Sequence, residues 1–456
     1  MSAISRRGFL ASVAGAAAGV AVEDEPRRPN IVIMMTDDQR ADAMSCAGHP
    51  FLRTPNMDRI AREGLRFRNA FVTNSLCAPS RATLLTGVYS HTHGVTDNKD
   101  RAINPALPIL PEMLRAAGYE VAFCGKSHVS GALRDRQWDY YFGFKGQGRY
   151  LKPLIAEGVD GKDVAYDGYM DDVVTDHAIS WLKRKRDRPF CLFLWFKAPH
   201  RSWERAPRHA ELFKDVRVPV PHTWNDDKLG WPGKPQAFVK ADNKFGNAPD
   251  VVSFEKVIKD YCATLTAVDE NVGKVLAALN EIGALDDTAI LYTSDNGFFL
   301  GEWHLYDKRL MHEPSIRVPW LIRYPRRIQP GTISDAMVLN VDIAPTVLEI
   351  AGVPRPGHLH GRSTAPLFAG KPTPWRKDWL YEYFEYPAVH SVRKNRGVRT
   401  ERYKLIHYFE EPQEWELYDL LMDPGEERNL AGDLRYAPLR KRLQERIARL
   451  VRETGG

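Results

Sequence analysis

The sequence is poor in cysteine. Its 456 residues hold five, Cys46, Cys77, Cys124, Cys191 and Cys262, widely spaced and with no CxxC pair. That spacing argues against a zinc site or a disulfide framework. No Lys/Arg tract interleaves with aromatics, and a formal charge of +6 is mild for this length, so nucleic acid is not expected as a partner. Internal repeats are missing too. Past residue 21 no apolar run approaches the length of a membrane-spanning helix, so no transmembrane anchor is expected.

A hydrophobic fraction of 43% allows a sizeable core, and the length suggests one large domain plus a smaller one. The first residues read as a signal rather than fold. "SRRGFL", Ser5 to Leu10, precedes an uncharged, small-residue run from Ala11 to Ala21. Arg6 and Arg7, followed by Phe9 and Leu10, look like a twin-arginine export signal. The expectation is that residues 1–21 engage export machinery and are removed, leaving a periplasmic or secreted protein.

Four apolar runs read as buried strands, and each releases polar residues at its carboxyl end. Ile31–Met35 leads to Asp37 and Asp38, and Val121–Cys124 to Lys126 and His128. "PFCLFLWFKAPH" ends in Lys197 and His200, and "TAILYTSDNG" in Asp295 and Asn296. Helical patterns lie between them, including Pro111–Gly118 and Tyr261–Ile282. The alternation predicts an α/β fold with a large, mostly parallel sheet flanked by helices. Ligands of such sheets sit at the carboxyl edge, so the four polar ends are expected to build one site. Asp215–Asp250, rich in Pro, Gly and Asn, reads as a long ordered loop bordering a pocket. Composition shifts near Lys371–Lys377. Short strand-like runs and a basic amphipathic helix, about Ala437 to Arg452, then predict a small antiparallel sheet plus helix. The expected division is 28–370 for chemistry and 371–456 for a C-terminal subdomain.

Asp37, Asp38, Asp295 and Asn296 supply only oxygen ligands, which suit calcium or magnesium. A lone Asp pair is equally a loop or helix cap. Arg81, Lys126, His128, His200 and Lys308 would suit an anionic substrate, which points to sulfuryl or phosphoryl transfer. Cys77 lies in "NSLCAPSRATLLTG", at the start of a helix that Pro79 favours and Gly87 ends. A thiolate there would be acidified by the helix N-terminus. It would also be soft, beside ligands that select a hard cation. Cys124 and Cys191, inside apolar runs, are expected as buried thiols.

"CAPSRATLLTG" resembles the C-x-P-S-R-x-x-x-L-T-G signature of type I sulfatases, members of the alkaline-phosphatase superfamily. "TDDQ", "GKSH", "KAPH", "SDNG" and "DKR" follow the order of that family. The resemblance implies an alkaline-phosphatase-like fold and oxidation of Cys77 to formylglycine by a formylglycine-generating enzyme. It implies Ca2+ bound by Asp37, Asp38, Asp295, Asn296 and an oxygen of the converted Cys77. The hydrated aldehyde then attacks the sulfate ester and forms a covalent sulfate intermediate. Arg81 would hold the formylglycine and Lys126 neutralise it. His128 would take the proton from the second hydroxyl. His200 and Lys308 would bind the sulfate and help protonate the leaving alcohol.

Flanking segments are similar to the N-acetylglucosamine-6-sulfatase branch of glycan sulfatases. There Asp307, Arg309 and His390 would contact a sulfated carbohydrate. The alternative is an Asp307–Arg309 scaffold pair with His390 on a surface loop. Trp203 is placed equally by sugar stacking and by packing. Trp303, His312 and Ser202 depart from common family residues, and Trp303 is expected to alter the pocket wall. A phosphonate monoester or phosphodiester hydrolase stays open as a rival, as does a non-catalytic glycan-binding homologue with Cys77 unconverted.

Overall fold

A computed structural model describes residues 28–99, 101–129, 133, 136 and 138–456. The export-signal expectation for residues 1–21 lies outside the described residues. Twelve strands form the main domain: β1 (Asn30–Thr36), β2 (Leu65–Phe71), β3 (Glu120–Lys126), β4 (Tyr140–Phe144), β5 (Leu154–Glu157), β6 (Asp163–Ala165), β7 (Phe190–Trp195), β8 (Thr288–Ser294), β9 (Phe299–Leu300), β10 (Tyr306–Asp307), β11 (Trp320–Arg323) and β12 (Thr332–Leu339). Ten of them make one sheet in the order β12-β2-β11-β8-β1-β7-β3-β4-β5-β6, and β9 pairs with β10 apart from it. The central strands β8, β1, β7, β3 and β4 run parallel. Antiparallel β11 and the β5–β6 edge make the sheet mixed.

The central strands are apolar throughout because both faces of the sheet are covered. In β1, Ile31, Ile33 and Met35 enter the core on one face while Val32 and Met34 enter the core on the other. With side chains of both parities in the core, the first polar positions fall at the carboxyl ends, where the strands leave the layers. The longest helix, Phe254–Glu281, begins seven residues before the apolar stripe suggested. Its first turn carries Glu255 and Lys256 and is capped by Ser253, whose hydroxyl accepts the Lys256 N–H at 3.3 Å.

The C-terminal sheet has four antiparallel strands, β13 (Asp378–Tyr383), β14 (Asn395–Thr400), β15 (Tyr403–Tyr408) and β16 (Glu414–Asp419), followed by helix Ala437–Glu453. Its core is shared. Leu443, Ile447 and Leu450 of the helix join Leu380, Val398 and Leu417 of the sheet and Phe71, Leu76 and Phe299 of the main domain in one apolar cluster. Trp303 belongs to that cluster, edge-on to Phe238 and His312. This corrects the expectation that Trp303 walls the pocket: the indole is spent on joining the two sheets. Among the described residues no helix is long and apolar enough to cross a membrane.

Candidate active site

Parallel pairing of β1 with β8 sets Thr36 opposite Ser294, so Asp37–Asp38 and Asp295–Asn296 leave the sheet side by side. The Asp38 N–H donates to Asp295 Oδ1 at 3.1 Å, and Asn296 Nδ2 donates to Asp38 Oδ1 at 2.6 Å. Asp38 adopts a left-handed backbone, φ 74°, an uncommon conformation that functional sites often hold. One oxygen from each of Asp37, Asp38 and Asp295 lies within 4.8 Å of the others. All three are buried, and Asp38 Oδ2 and Asn296 Oδ1 have no hydrogen-bond partner. Burial, with Asp37 and Asp295 adjacent, pushes the Asp38 carboxyl up to about 7 against the pull of Lys308. Burial and Asp37 also raise Asp295. Burial opposes ionisation of Asp37 as well, but Lys126, His200 and Arg81 hold it well below the usual carboxylate range. Crowded buried carboxylates with orphaned oxygens fit a hard divalent cation; the Cys77 sulfur and a His200 nitrogen also lie within 4.8 Å of each other and of an Asp37 oxygen.

Cys77 opens helix Cys77–Thr86, with Leu76 extended before it and left-handed Gly87 (φ 67°) after it. A Cβ on Gly87 would come within 2.8 Å of Leu359 Cδ2, so close packing and backbone both ask for glycine there. The Ala78 N–H donates to Asn98 Oδ1 at 3.0 Å. The Cys77 Sγ sits 3.5 Å from Asp37 Oδ1 and 3.2 Å from Lys308 Nζ. Against the expected acidification, burial and the Asp37 carboxylate push the thiol pKa far up, with Lys308 pulling the other way. Cys124 and Cys191 are fully buried, as expected.

The cations surround these acids. Arg81 donates to Asp295 Oδ2 from Nε at 2.9 Å and to the Lys126 carbonyl from Nη1 at 2.5 Å. Lys126 pairs with Asp37 and donates to Gln147 Oε1 at 2.5 Å; Lys308 pairs with Asp38. The His200 Nδ1–H donates to the Arg201 carbonyl at 2.7 Å, which leaves Nε2 facing Asp38 Oδ2 at 3.8 Å. His128 is largely buried and its Nδ1 has no partner. Burial first, then Lys126, lowers the pKa of both histidines well below the ordinary value.

A cleft of about 660 Å³ opens over this centre, lined by His128, Gln147, Lys197, His200, Lys308 and His390 among others. Asp307 and Arg309 form an ion pair and also line the cleft. His390 Nε2 lies 3.1 Å from Asp307 Oδ2, while its Nδ1 faces Asp242 at 3.3 Å. The scaffold pair that the sequence offered as the alternative to sugar contact is formed, and both its members and His390 line the cleft. Trp203 does not line the cleft. It is 3% exposed, edge-on to Phe298, and unavailable for stacking on a sugar. The 215–250 loop borders the site through Asp242 and through Asp250, which pairs with Arg201 at 2.6 Å.

Three site neighbours carried no sequence signal. Gln147 comes from an irregular stretch after β4. Asn98 reaches back to the nucleophile helix. Glu385, just after β13, accepts the Asn98 N–H at 2.9 Å and pairs with Arg309 at 3.4 Å. No motif marks a residue that arrives through a loop.

The fold and this centre define an alkaline-phosphatase-like α/β hydrolase built for an anionic ester. Residues 29–353 match the sulfatase family model, and residues 301–453 match that of the N-sulphoglucosamine sulphohydrolase C-terminal region. The chain belongs to the sulfatase family and is a sulfuric ester hydrolase. It is 39% identical to an N-acetylglucosamine-6-O-sulfatase of Bacteroides thetaiotaomicron, covering 96% of this chain and 88% of that one. It is 31% identical to the human N-acetylglucosamine-6-sulfatase, over 82% of this chain and 70% of the relative. A multifunctional alkaline phosphatase superfamily protein of Trinickia caryophylli is 30% identical, over 90% and 93%. A solved structure in complex with its substrate D-glucosamine-2-N,6-O-disulfate superimposes with a TM-score of 0.87 at 37% identity, covering 94% of this chain and 98% of that one.

Proposed function

We propose that this sulfatase cleaves a 6-O-sulfate ester on an aminosugar, using an oxygen nucleophile made from Cys77 and a calcium ion. The observation that carries the reading is the setting of Cys77. As a thiol it is buried, its ionisation suppressed, and it is surrounded by hard oxygen ligands and by Lys308. Converted to formylglycine, and with Ca2+ held by Asp37, Asp38, Asp295, Asn296 and residue 77, it would supply a hydrated aldehyde oxygen that accepts the sulfuryl group. Arg81 holds Asp295 and the Lys126 carbonyl, which fixes the floor of the site. Lys126 and Lys308 neutralise charge on the nucleophile and on the sulfate. His128, a neutral ring with Nδ1 unpartnered, accepts a proton from residue 77. Lys308, an ammonium beside residue 77, would supply a proton to the leaving-group oxygen, and His200 would share that role once Nε2 is protonated. Asp307, Arg309 and His390 bind sugar hydroxyls at the rim.

Under the same proposal, residues 28–370 carry the chemistry and 371–456 form a subdomain that completes the rim. The chain is exported through its residue 1–21 signal and converted by a formylglycine-generating enzyme. The relatives that act on N-acetylglucosamine 6-sulfate support the sugar assignment, and the family match supports the conversion of Cys77. The test is sulfate release from glucosamine 6-sulfates compared with an aryl sulfate and a phosphodiester, with peptide mass spectrometry at residue 77. Fastest turnover of the phosphodiester, or an active enzyme carrying only thiol, would overturn the reading.

A further inference from the structure

Lys197 stands two residues past β7 and is 2% exposed. An ammonium has three donors. Lys197 uses two, on the carbonyls of Gln147 at 3.0 Å and Arg201 at 3.3 Å, with the Tyr150 ring 4.4 Å away. No carboxylate pairs with it among the described residues. Nearby cations differ: Lys126, and Lys308, Arg309 and Arg201 of the cleft, each pair with an aspartate. Burial and Lys126 push its pKa down to about 8, the direction expected of a cation lacking a partner. Asp37, Asp171 and Asp38 act on it only at longer range; a buried ammonium with no directly bonded counter-ion is costly, and its position on the cleft wall offers that place to a ligand.

That counter-ion is distinct from the sulfate being cleaved. Lys308 contacts Cys77 directly and Lys126 pairs with Asp37 beside it. Gln147 takes Lys126 on its side-chain oxygen and Lys197 on its backbone oxygen. Arg149, exposed at the mouth of the same cleft, is bonded through Nε to the Lys152 carbonyl at 2.5 Å and has no carboxylate partner among the described residues.

We propose that Lys197, with Arg149 at the rim, forms a second anion subsite that recognises a further sulfate or carboxylate on the substrate sugar. The inference rests on the aminosugar reading above and narrows it to sugars carrying two anionic groups.

Steady-state kinetics of the converted enzyme on three sugars test it: N-acetylated glucosamine 6-sulfate, N-sulfated glucosamine 6-sulfate, and an N-acetylated 6-sulfate linked to a uronate. The wild type should prefer one doubly anionic sugar, and which one distinguishes sulfate from carboxylate. In Lys197→Met the kcat/KM ratio of that sugar to the singly sulfated one should fall about tenfold to a hundredfold, the effect of losing one charge-assisted hydrogen bond, mainly through KM. Lys197→Arg should retain the ratio. An unchanged ratio in Lys197→Met would overturn the proposal, as would equal loss on all three sugars. If Lys197→Met does not fold, Arg149→Ala, at an exposed position, reads the same ratio by the same criterion. Failure of the wild type to cleave any of the three would instead refute the aminosugar reading.

Discussion

Replacing Tyr381 by Phe removes one oxygen from a buried ring in β13. That hydroxyl donates to the Arg309 carbonyl at 2.8 Å and accepts the Ser75 N–H at 3.2 Å. It therefore ties the segment entering Cys77 to the segment carrying Asp307–Arg309, from a strand of the C-terminal sheet. In Tyr381→Phe both main-chain groups lose their partner in a fully buried place. Each such loss costs about 1–3 kcal/mol, so the pair predicts roughly 2–4 kcal/mol after partial relaxation. The ring still fills its cavity, which keeps a packing term out of the number. Urea unfolding followed by tryptophan fluorescence reads the change. Kinetics on a sulfated aminosugar should show a lower kcat, because the segments carrying Cys77 and Asp307–Arg309 lose their shared anchor. A stability change below about 0.5 kcal/mol with kcat unaltered would refute the reasoning, since surface-like tolerance is incompatible with two buried groups left unpaired.

Cys77→Ala should abolish sulfate release with little change in the unfolding midpoint; residual turnover above that of the Lys308→Ala variant would argue for another nucleophile. Chelation should remove activity and lower thermal stability, and added calcium should restore both; a ligand at a hundred times its dissociation constant contributes about 2.7 kcal/mol. Glu416 gives a pH prediction. Burial opposes its ionisation, but His312 and Lys234 hold its carboxyl down to about 2. A carboxylate depressed in the folded state stabilises above its unfolded pKa, and that stability is lost as pH falls through the folded value. Stability should therefore fall from about pH 4.5 toward about pH 2, and Glu416→Gln should flatten that limb in acid titrations followed by circular dichroism. An unchanged limb would show that the pair is not formed.

Much of the site was legible locally. Asp37–Asp38, Lys126, His200 and Asp295–Asn296 each follow an unbroken apolar run, and a strand buried on both faces places its first polar residues at its carboxyl end. The helix from Cys77 was legible for a similar reason: Pro79 and left-handed Gly87 mark its two ends with backbone chemistry. Residues without such markers were missed. Gln147, Asn98 and Glu385 enter from irregular segments, and their partners lie 21, 20 and 76 positions away in sequence. The first turn of helix Phe254–Glu281 was missed because its charged residues interrupt the apolar stripe.

The sequence by itself determined the parallel sheet, the polar edge, the helix that presents Cys77 and the mismatch between a soft thiol and hard ligands, because periodicity, caps and ligand chemistry are local properties. Tertiary structure alone decided three other matters. It buried Trp203 and Trp303 in apolar clusters and so removed them from the cleft. It set the direction of the Cys77 pKa upward, through burial beside Asp37. It left Lys197 buried with no carboxylate bonded to it among the described residues. Each depends on what distant segments bring alongside a residue, and burial and charge pairing are set by those neighbours rather than by the residues adjacent in the chain.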